Sequence, residues 1–393
     1  MSETVKKYLQ GDRAIWGVII MLSVFSVLAV YTSTSTLAYK KMGGNTIYYL
    51  VRHGVILGAG IFIIYLVHLI PYRYYFQLSR LFLGLSALLL VFTLFSGTRM
   101  NEASRWLTLP GLGFTIQTSD LAKMSLIMYL SRMLSLKQNE TGNTKEILIS
   151  LGIPLYAIVI LIAPANLSTA LILFVVSLVL MFVARVKMRV LLSLVGVGIA
   201  GGAVILSIAL LSGQKGRITT WEHRIENFIQ GDENTEGNYQ ASQARIAVAT
   251  GGLFGKKPGK STQRNFLPHP YSDFIYAIIV EEYGLLFGAI PILLAYLILL
   301  FRAGVIVRKC KRTFPAFLTV GMTLLIVTQA FVNMGVSVTL FPVTGQTLPL
   351  VSMGGSSMLF TAIELGIILN ISKTANQEIT NEEDHDEAVE SDH

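Results

Sequence analysis

Long apolar runs constrain this chain more than any other feature of its sequence. A helix needs about 20 mostly apolar residues to cross the hydrocarbon core of a bilayer. Ten runs approach that length, at residues 14–32, 47–70, 77–96, 118–135, 147–164, 166–184, 189–211, 274–301, 314–340 and 352–371. Only 14% of the residues are charged, whereas soluble domains have about a quarter. The pattern predicts an all-α polytopic membrane protein with ten transmembrane helices.

Positive charges between the runs predict the orientation of the chain. Ten crossings place both termini on one side of the membrane. The loops and ends on that side hold seventeen lysines and arginines, and the short loops on the opposite side hold five. Because cytoplasmic loops are enriched in these residues, we expect both termini in the cytoplasm. The formal net charge of +8 is then an orientation signal, and we expect no nucleic-acid partner.

The two ends of the chain and its one cysteine add further limits. Three basic residues precede a first apolar run that is longer than a signal-peptide core, so residues 1–13 are predicted to be a cytoplasmic N-terminus before an uncleaved span. Residues 372–393 are acidic and lack core-forming side chains, which predicts a disordered cytoplasmic tail. The single cysteine, Cys310, excludes an internal disulfide and a cysteine metal cluster.

The longest polar segment, residues 212–272, follows the seventh run and is predicted to lie outside the cell. Connections of this length are usually functional or disordered. Aromatic residues such as Trp221 and Phe228 argue against simple disorder. We therefore predict a large extracytoplasmic loop with a functional role. Its basic residues are Lys215, Arg217, Arg224, Arg245, Lys256, Lys257, Lys260 and Arg264.

A first polar cluster, residues 101–123, lies at the outer end of the fourth run. Ser119 can cap a helix whose first turn holds Asp120, which is favourable at the positive end of the helix dipole. Lys123 follows three residues later, so it shares a helix face with Asp120. Two interpretations stay open. Ionisable residues in spans are functional by default, but Lys123 can also extend its ammonium to the membrane surface beside an interfacial cap.

A second cluster is the adjacent pair Glu281 and Glu282, about two turns into the eighth run. Adjacent helical positions point about 100° apart, so the two carboxylates cannot face one partner. Each needs a cation, a hydrogen bond or a proton in lipid. Lys123 is a candidate partner for one of them, and a structural ion pair is as open as a catalytic role.

A third cluster, residues 342–357, ends in two glycines and two serines. Backbone N–H groups of Gly354 to Ser357 can form an anion seat at a helix start. Glycine and serine also serve close packing between membrane helices, so both interpretations stay open. Elsewhere, GLFGKKPGK does not match the Walker spacing GxxxxGK(S/T) and is predicted to lie outside, away from cytoplasmic nucleotide, so an ATPase is not expected. His269 has no His or Cys neighbours at ligand spacing, so the residues predict no metal site.

Four motifs of the chain are specific: ASRWL with QTSDLAK, GNYQASQARIAVATGGLFGKKPG, NFLPHPYSDFIYAIIVEEYG and VTGQTLPLVSMGGSS. They resemble the motifs of the SEDS family (shape, elongation, division and sporulation), and the likeness extends from about Asp12 to Ile371. The segment VNMGVSVTLFPVTGQTLP is more similar to the septal-division branch than to the elongation branch. The chain departs from the family pattern at Thr118 (for proline), Asp120 (for glutamate), Ala244 (for serine), Lys257–Pro258, His269 (for glutamate) and Met353 (for tyrosine).

The resemblance implies a fold and an activity. Residues 14–371 would form the SEDS-type transmembrane domain, in the bacterial cytoplasmic membrane and at the division septum. The implied enzyme is a peptidoglycan glycosyltransferase that polymerises lipid II, the undecaprenyl-pyrophosphate-linked disaccharide peptide, by inverting hexosyl transfer. Implied partners are a class B penicillin-binding protein and other divisome membrane proteins. A divalent cation, Mg or Mn, is implied by the resemblance only.

The resemblance also implies residue roles. Asp273 matches the family's catalytic aspartate, and a carboxylate base suits the acceptor hydroxyl, which must lose a proton as it attacks. The leaving lipid pyrophosphate needs cationic stabilisation, and the candidates for phosphate contacts are Arg224, Lys256 and Arg264. Other candidate substrate-binding residues are Arg105, Lys123, Tyr239, Gln240, Gln243, Ser356 and Ser357, with a supporting charge network of Asp120, Glu281 and Glu282.

Two other functions stay open on the sequence. A lipid II flippase would need polar groups through the middle of the membrane and alternating access. The polar clusters of this chain gather at the predicted outer side, which favours chemistry at the surface. A noncatalytic divisome scaffold is the second alternative, and no sequence feature decides against it.

Overall fold

Helices occupy the positions of all ten apolar runs. The structure is a computed structural model that describes residues 10–96, 98–100, 103–108, 115–138, 144–211 and 236–391. The helices are α1 Arg13–Ser33, α2 Ser35–Met42, α3 Thr46–Leu69, α4 Tyr72–Ser96, α5 Thr118–Lys137, α6 Thr144–Ile162, α7 Leu167–Val183, α8 Met188–Leu211, α9 Glu236–Gly251, α10 Ile275–Gly284, α11 Ile290–Lys309, α12 Thr313–Ser337 and α13 Gly355–Ser391. The predicted all-α polytopic fold is confirmed.

Within the described residues, seven segments are long and apolar enough to cross a membrane. They are Arg13–Ser33, Thr46–Leu69, Tyr72–Phe95, Lys145–Ile162, Ile275–Lys309, Thr313–Ser337 and Gly355–Glu378. The helices Leu167–Val183 and Met188–Ala203 are apolar but shorter. Helix α5 carries buried charges and is enclosed by protein over most of its length. The number of ten crossings therefore stays a prediction.

Side chains at the helix ends explain where several helices begin. The carboxylate of Asp12 accepts hydrogen bonds from the amides of Ala14 (2.9 Å) and Ile15 (3.3 Å) at the start of α1. Asn45 and Asn166 accept from backbone amides in the same way at the starts of α3 and α7. Such caps satisfy N–H groups that have no partner within the helix.

A small antiparallel sheet precedes α5. Its strands are β1 Thr98–Met100, β2 Ala103–Thr108 and β3 Thr115–Gln117, in the order β1-β2-β3. Trp106 is paired with Gln117 across β2 and β3. The sheet leads directly into α5, so it fixes where the helix that carries Asp120 and Lys123 begins.

The sequence predicted one continuous helix over the eighth apolar run. The structure has a break in it. Helix α10 ends at Gly284, whose φ is +76°, and a π-helical turn at Leu285–Ala289 leads into α11. The amides of Leu285 and Leu286 donate to the carbonyls of Gly252 (2.9 Å) and Leu253 (3.1 Å) instead of to their own helix. A Cβ at position 284 would collide with the backbone of Leu253 and Gly255, and only glycine adopts this φ readily. The break turns the end of α10 toward the polar loop.

The acidic tail also differs from its prediction. Helix α13 continues to Ser391, where the sequence predicted disorder from residue 372. No glycine or proline interrupts residues 372–391, so the helical hydrogen-bond pattern of the buried part can extend. Two lysines at the end of α11 and just after it contact the start of the tail. Lys309 Nζ donates to Asn376 Oδ1 (2.9 Å), and Lys311 Nζ donates to the carbonyl of Glu378 (3.3 Å).

Helix α12 lies at the centre of the bundle. It packs against α5, α7, α11 and α13, and most of its residues are buried. Gly321 allows close approach of Ile127 on α5 and Leu180 on α7. A second, smaller core joins α9 to α10 and α12 through Ala244, Ala247, Leu267, Phe274, Ala277, Ile278 and Val336. The described part of the large loop is therefore folded onto the helices.

Candidate active site

Asp273 lies half-buried one residue before the N-cap position of α10, which Phe274 occupies. Ser272 Oγ donates to Asp273 Oδ1 at 2.8 Å. Asn333 Nδ2, from α12, donates to the backbone carbonyl of Asp273 at 2.8 Å. Burial raises the pKa of the neighbouring Tyr271 phenol, and the charge of Asp273 raises it further. Tyr271 is therefore a neutral phenol beside the carboxylate at pH 7.

The 342–357 motif packs directly on the Asp273 segment. Ser352 Oγ donates to the carbonyl of Ser272 (2.6 Å), and the amide of Met353 donates to the carbonyl of Tyr271 (2.9 Å). Asn333 Nδ2 also donates to the carbonyl of Gln346 (2.7 Å). The sequence marked these two motifs separately, and the structure joins them through backbone hydrogen bonds.

Asp120 and Lys123 form the predicted pair on one face of α5. Lys123 Nζ lies 2.9 Å from Asp120 Oδ1, and both residues are buried. Lys123 Nζ also donates to Gln329 Oε1 on α12 at 3.0 Å. The hypothesis that Lys123 pairs with Glu281 or Glu282 is wrong, because its ammonium is occupied by Asp120 and Gln329.

Two amides on α12 link the Lys123 pair to the Asp273 segment. Gln329 Nε2 donates to the carbonyl of Thr347 (3.0 Å), and Asn333, one turn later, donates to the carbonyls of Gln346 and Asp273. Our sequence analysis missed both amides, which lie in the apolar run 314–340. The sequence does mark them, because polar side chains inside membrane spans are rare and commonly functional.

Glu364 on α13 is a further acidic residue that the sequence analysis missed. It is the only charged residue of the apolar run 352–371. Its side chain is buried, within electrostatic range of Lys123 and Asp120. Two carboxylates therefore lie near one ammonium.

Glu281 fastens the loop that precedes Asp273. Its fully buried carboxylate lies 2.8 Å from Lys256 Nζ and accepts hydrogen bonds from Ser261 Oγ (2.5 Å), Thr262 Oγ1 (2.8 Å), the Thr262 amide (3.1 Å) and the Gln263 amide (3.2 Å). The break at Gly284 brings α10 close to this loop and makes the pairing possible. Glu281 is thus the centre of a structural ion pair.

Glu282 points away from Glu281, as adjacent helical positions predict. It is buried, and its nearest polar groups are Gly259, Thr32, Ser261 and Arg264. Neither carboxylate oxygen has hydrogen-bond geometry with any residue that the structure describes. Arg264 Nη1 donates to the Thr32 carbonyl at 3.2 Å, at the C-terminal end of α1, where a cation is favourable.

The serines of the third motif have packing roles. Ser356 Oγ is buried and accepts from the amide of Gln117 at 3.0 Å, which joins α13 to β3. Ser357 Oγ donates to the Gly354 carbonyl at 3.1 Å. A Cβ at Gly354 would collide with Ser357 Oγ. These contacts support the packing interpretation, and the anion seat stays a prediction.

The remaining candidates belong to α9 or β2, or fall outside the described residues. On α9, Tyr239 is exposed, and Gln240 and Gln243 are half-buried. The backbone of Arg105 belongs to β2, but its side chain lies outside the described residues, as does all of Arg224. The described residues contain no group of three or more His, Cys, Asp or Glu side chains placed to hold a metal ion.

Comparison with known proteins decides the family. The model of the FtsW, RodA and SpoVE proteins, described as cell cycle proteins, matches residues 12–377. The chain belongs to this family. The resemblance noted in the sequence motifs is confirmed.

Relatives and solved structures agree with this membership. The chain is 33% identical over 380 residues to a probable peptidoglycan glycosyltransferase FtsW of Geobacter metallireducens, covering 94% of this chain and 96% of that one. It is 32% identical over 365 residues to stage V sporulation protein E of Bacillus subtilis, with 90% and 94% covered.

Two solved structures have the same fold as this family member. One comes from work on the structural coordination of polymerization and crosslinking by a peptidoglycan synthase complex, with a TM-score of 0.72, 26% identity, and 94% of this chain and 100% of that one covered. The other is the rod shape determining protein RodA of Thermus thermophilus, with a TM-score of 0.63, 25% identity, and 93% and 98% covered.

Proposed function

We infer that the chain is a peptidoglycan glycosyltransferase that polymerises lipid II at the outer face of the bacterial cytoplasmic membrane, for septal wall synthesis. Family membership and relatives named as FtsW glycosyltransferases support this activity. The observation that carries the site is the junction at Asp273, where the 342–357 motif and α12 hold the segment that bears this carboxylate.

Asp273 is the proposed general base. It accepts the proton of the acceptor sugar hydroxyl as that oxygen attacks the anomeric carbon of the donor. The bond between the anomeric carbon and the pyrophosphate oxygen breaks on the opposite face, so the configuration inverts. The lipid pyrophosphate leaves as an anion. A role for Mg or Mn rests on family resemblance alone.

Cations of the 256–264 loop are the proposed partners of the leaving pyrophosphate. The ammonium of Lys256 is already paired with Glu281, and Arg264 faces Glu282. Lys257 and Lys260 are exposed and form no ion pair with a described residue. We therefore propose that these two lysines supply the free positive charge, with Lys256 and Arg264 fixing the loop.

A class B penicillin-binding protein is the proposed partner. Support comes from the similar solved structure, which concerns polymerisation coordinated with crosslinking in a peptidoglycan synthase complex. Location at the septum and contacts with other divisome membrane proteins follow from the likeness to FtsW relatives and belong to the same proposal.

Labelled lipid II given to the purified chain, with and without its penicillin-binding partner, tests the activity. We expect glycan strands that lengthen with time on a gel. Movement of lipid II across proteoliposomes without glycan formation would support a flippase instead. A chain that assembles with its partner and does neither, although a polymerase control works in the same mixture, would support the scaffold.

A further inference from the structure

Residues 348–352, in the non-helical connection between α12 and α13, are buried, and side chains of other helices hold their backbone. Backbone polar groups at membrane depth need partners within the protein. Tyr296 Oη on α11 donates to the carbonyl of Pro349 (2.6 Å), and Ser26 Oγ on α1 donates to the carbonyl of Val351 (2.8 Å). Both side chains are fully buried. The segment is thus clamped at two points, one on each side of Leu350.

His53 on α3 completes the second clamp. Its Nε2 lies 2.8 Å from Ser26 Oγ, and it is buried. A serine hydroxyl has one proton, and that of Ser26 goes to Val351. His53 Nε2 must therefore donate, which fixes the orientation of the hydroxyl. Three helices, α1, α3 and α11, hold this short stretch.

The residue between the clamps has a strained backbone. Leu350 has φ +63° and is buried. Residues with a Cβ rarely adopt this conformation, and it persists where the surrounding structure over-determines it. The clamps on Pro349 and Val351 supply that constraint. Directly after them, Ser352 and Met353 bind the carbonyls of Ser272 and Tyr271.

We propose that Tyr296 and Ser26 are positioning residues for Asp273, which they orient through residues 349–353. The clamps fix the strained stretch, and the strained stretch fixes the 271–273 backbone. Neither side chain touches the proposed substrate. The inference rests on the proposed role of Asp273 as the base.

Tyr296→Phe removes one hydroxyl and keeps the buried ring. We expect kcat for lipid II polymerisation to fall between about tenfold and 10²-fold, since a small displacement of a catalytic group has that effect. KM should stay unchanged, because no substrate contact is lost. Tyr75→Phe is the matched control. It removes a similar bond, from Tyr75 Oη to the Val67 carbonyl (2.9 Å), at the opposite end of the bundle, and should lower Tm comparably with kcat unchanged.

Ser26→Ala extends the test to the second clamp. Because both clamps act on one stretch, the double variant should lose less kcat than the product of the single losses. Wild-type kcat in Tyr296→Phe, a change confined to KM, or equal kcat losses in Tyr296→Phe and Tyr75→Phe would overturn the proposal.

Asp273→Asn, assayed beside these variants, separates the two proposals. An inactive Asp273→Asn with a normal Tyr296→Phe overturns only the positioning role. An active Asp273→Asn removes the proposed base, and this inference with it.

Discussion

Two of the contacts that hold Asp273 do not depend on its charge. Asn333 binds its backbone carbonyl, and Ser272 Oγ donates to Oδ1, a bond that an asparagine oxygen can also accept. Asp273→Asn should therefore keep these two contacts and remove the base. We expect polymerisation to fall by about 10²–10⁴, the usual contribution of general-base catalysis, with Tm and capture of the penicillin-binding partner unchanged. Near-normal glycan synthesis by the folded variant would exclude Asp273 from the mechanism.

Lys123 compensates the buried negative charge of Asp120. Lys123→Met leaves Asp120 without its cation, and breaking a buried pair costs about 3–5 kcal/mol in unfolding free energy. The rate of lipid II polymerisation should fall as well. Adding Asp120→Asn should recover part of both losses, since the two residues interact directly.

Two controls make that cycle specific. Lys123→Met combined with Glu281→Gln should give additive losses, because Glu281 belongs to a different ion pair. Lys137→Met, at a pair with the exposed Glu146, should change stability by less than about 1 kcal/mol. Additivity of Lys123→Met with Asp120→Asn, measured by chemical unfolding and by polymerisation, would contradict the pairing.

At the scale of elements, Glu281 couples α10 to the 256–263 loop. Glu281→Gln removes the charge opposite Lys256 and places an NH₂ group among donors from Ser261, Thr262 and Gln263. We expect the free energy of local opening of the 256–263 loop to fall by about 1–3 kcal/mol, as for a buried group left unsatisfied. Hydrogen exchange at the Thr262 and Gln263 amides and tryptic cleavage after Lys260 should become faster.

Lys256→Met is the matched control for the loop. It keeps the hydroxyl and amide donors around Glu281, so its effect on hydrogen exchange should be smaller than that of Glu281→Gln. Unchanged exchange in Glu281→Gln would show that the loop is held by other contacts. The geometry predicts faster hydrogen exchange in residues 256–263 only, with the Tm of the helices retained.

The same elements show what sequence patterns can and cannot specify. Apolar runs located the helices, and the i,i+3 spacing predicted the Asp120–Lys123 pair, because both signals are local. The break after Gly284 was missed, since its freed amides bind Gly252 and Leu253, more than 30 residues earlier in the chain. The prediction that Lys123 pairs with Glu281 was wrong for the same reason. The actual partner, Lys256, lies 25 residues away in the chain and contacts Glu281 because of the break after α10. Which groups share a site depends on such long-range contacts.

At the scale of the whole molecule, the polar residues separate into two ends. Arg302 pairs with Asp12 (Nε to Oδ2, 2.8 Å), and Lys309 binds the start of the acidic tail. The site around Asp273 occupies the other end, with Arg264 against the last turn of α1. This grouping agrees with the loops that the charge pattern placed together. Which end faces the cytoplasm stays a prediction.

The native cysteine is a poor reporter of that orientation. Burial, together with the charge of Glu378, raises the pKa of the Cys310 thiol to about 12. The thiol is then protonated at neutral pH, and thiol reagents react with the thiolate. Protection of Cys310 in intact cells would therefore be expected on either side of the membrane, so orientation needs introduced cysteines in a Cys310→Ala background.

Lys260→Cys and Arg312→Cys place single thiols at exposed positions of the two ends. Because seventeen cations lie on the side of Arg312 and the termini, positive-inside orientation puts Lys260 outside. An impermeant maleimide should label Lys260→Cys in intact cells and Arg312→Cys only after permeabilisation, while the Cys310→Ala parent stays unlabelled. The reverse pattern would place Asp273 in the cytoplasm, away from any acceptor strand at the outer face, and would contradict the proposed polymerase together with the predicted topology.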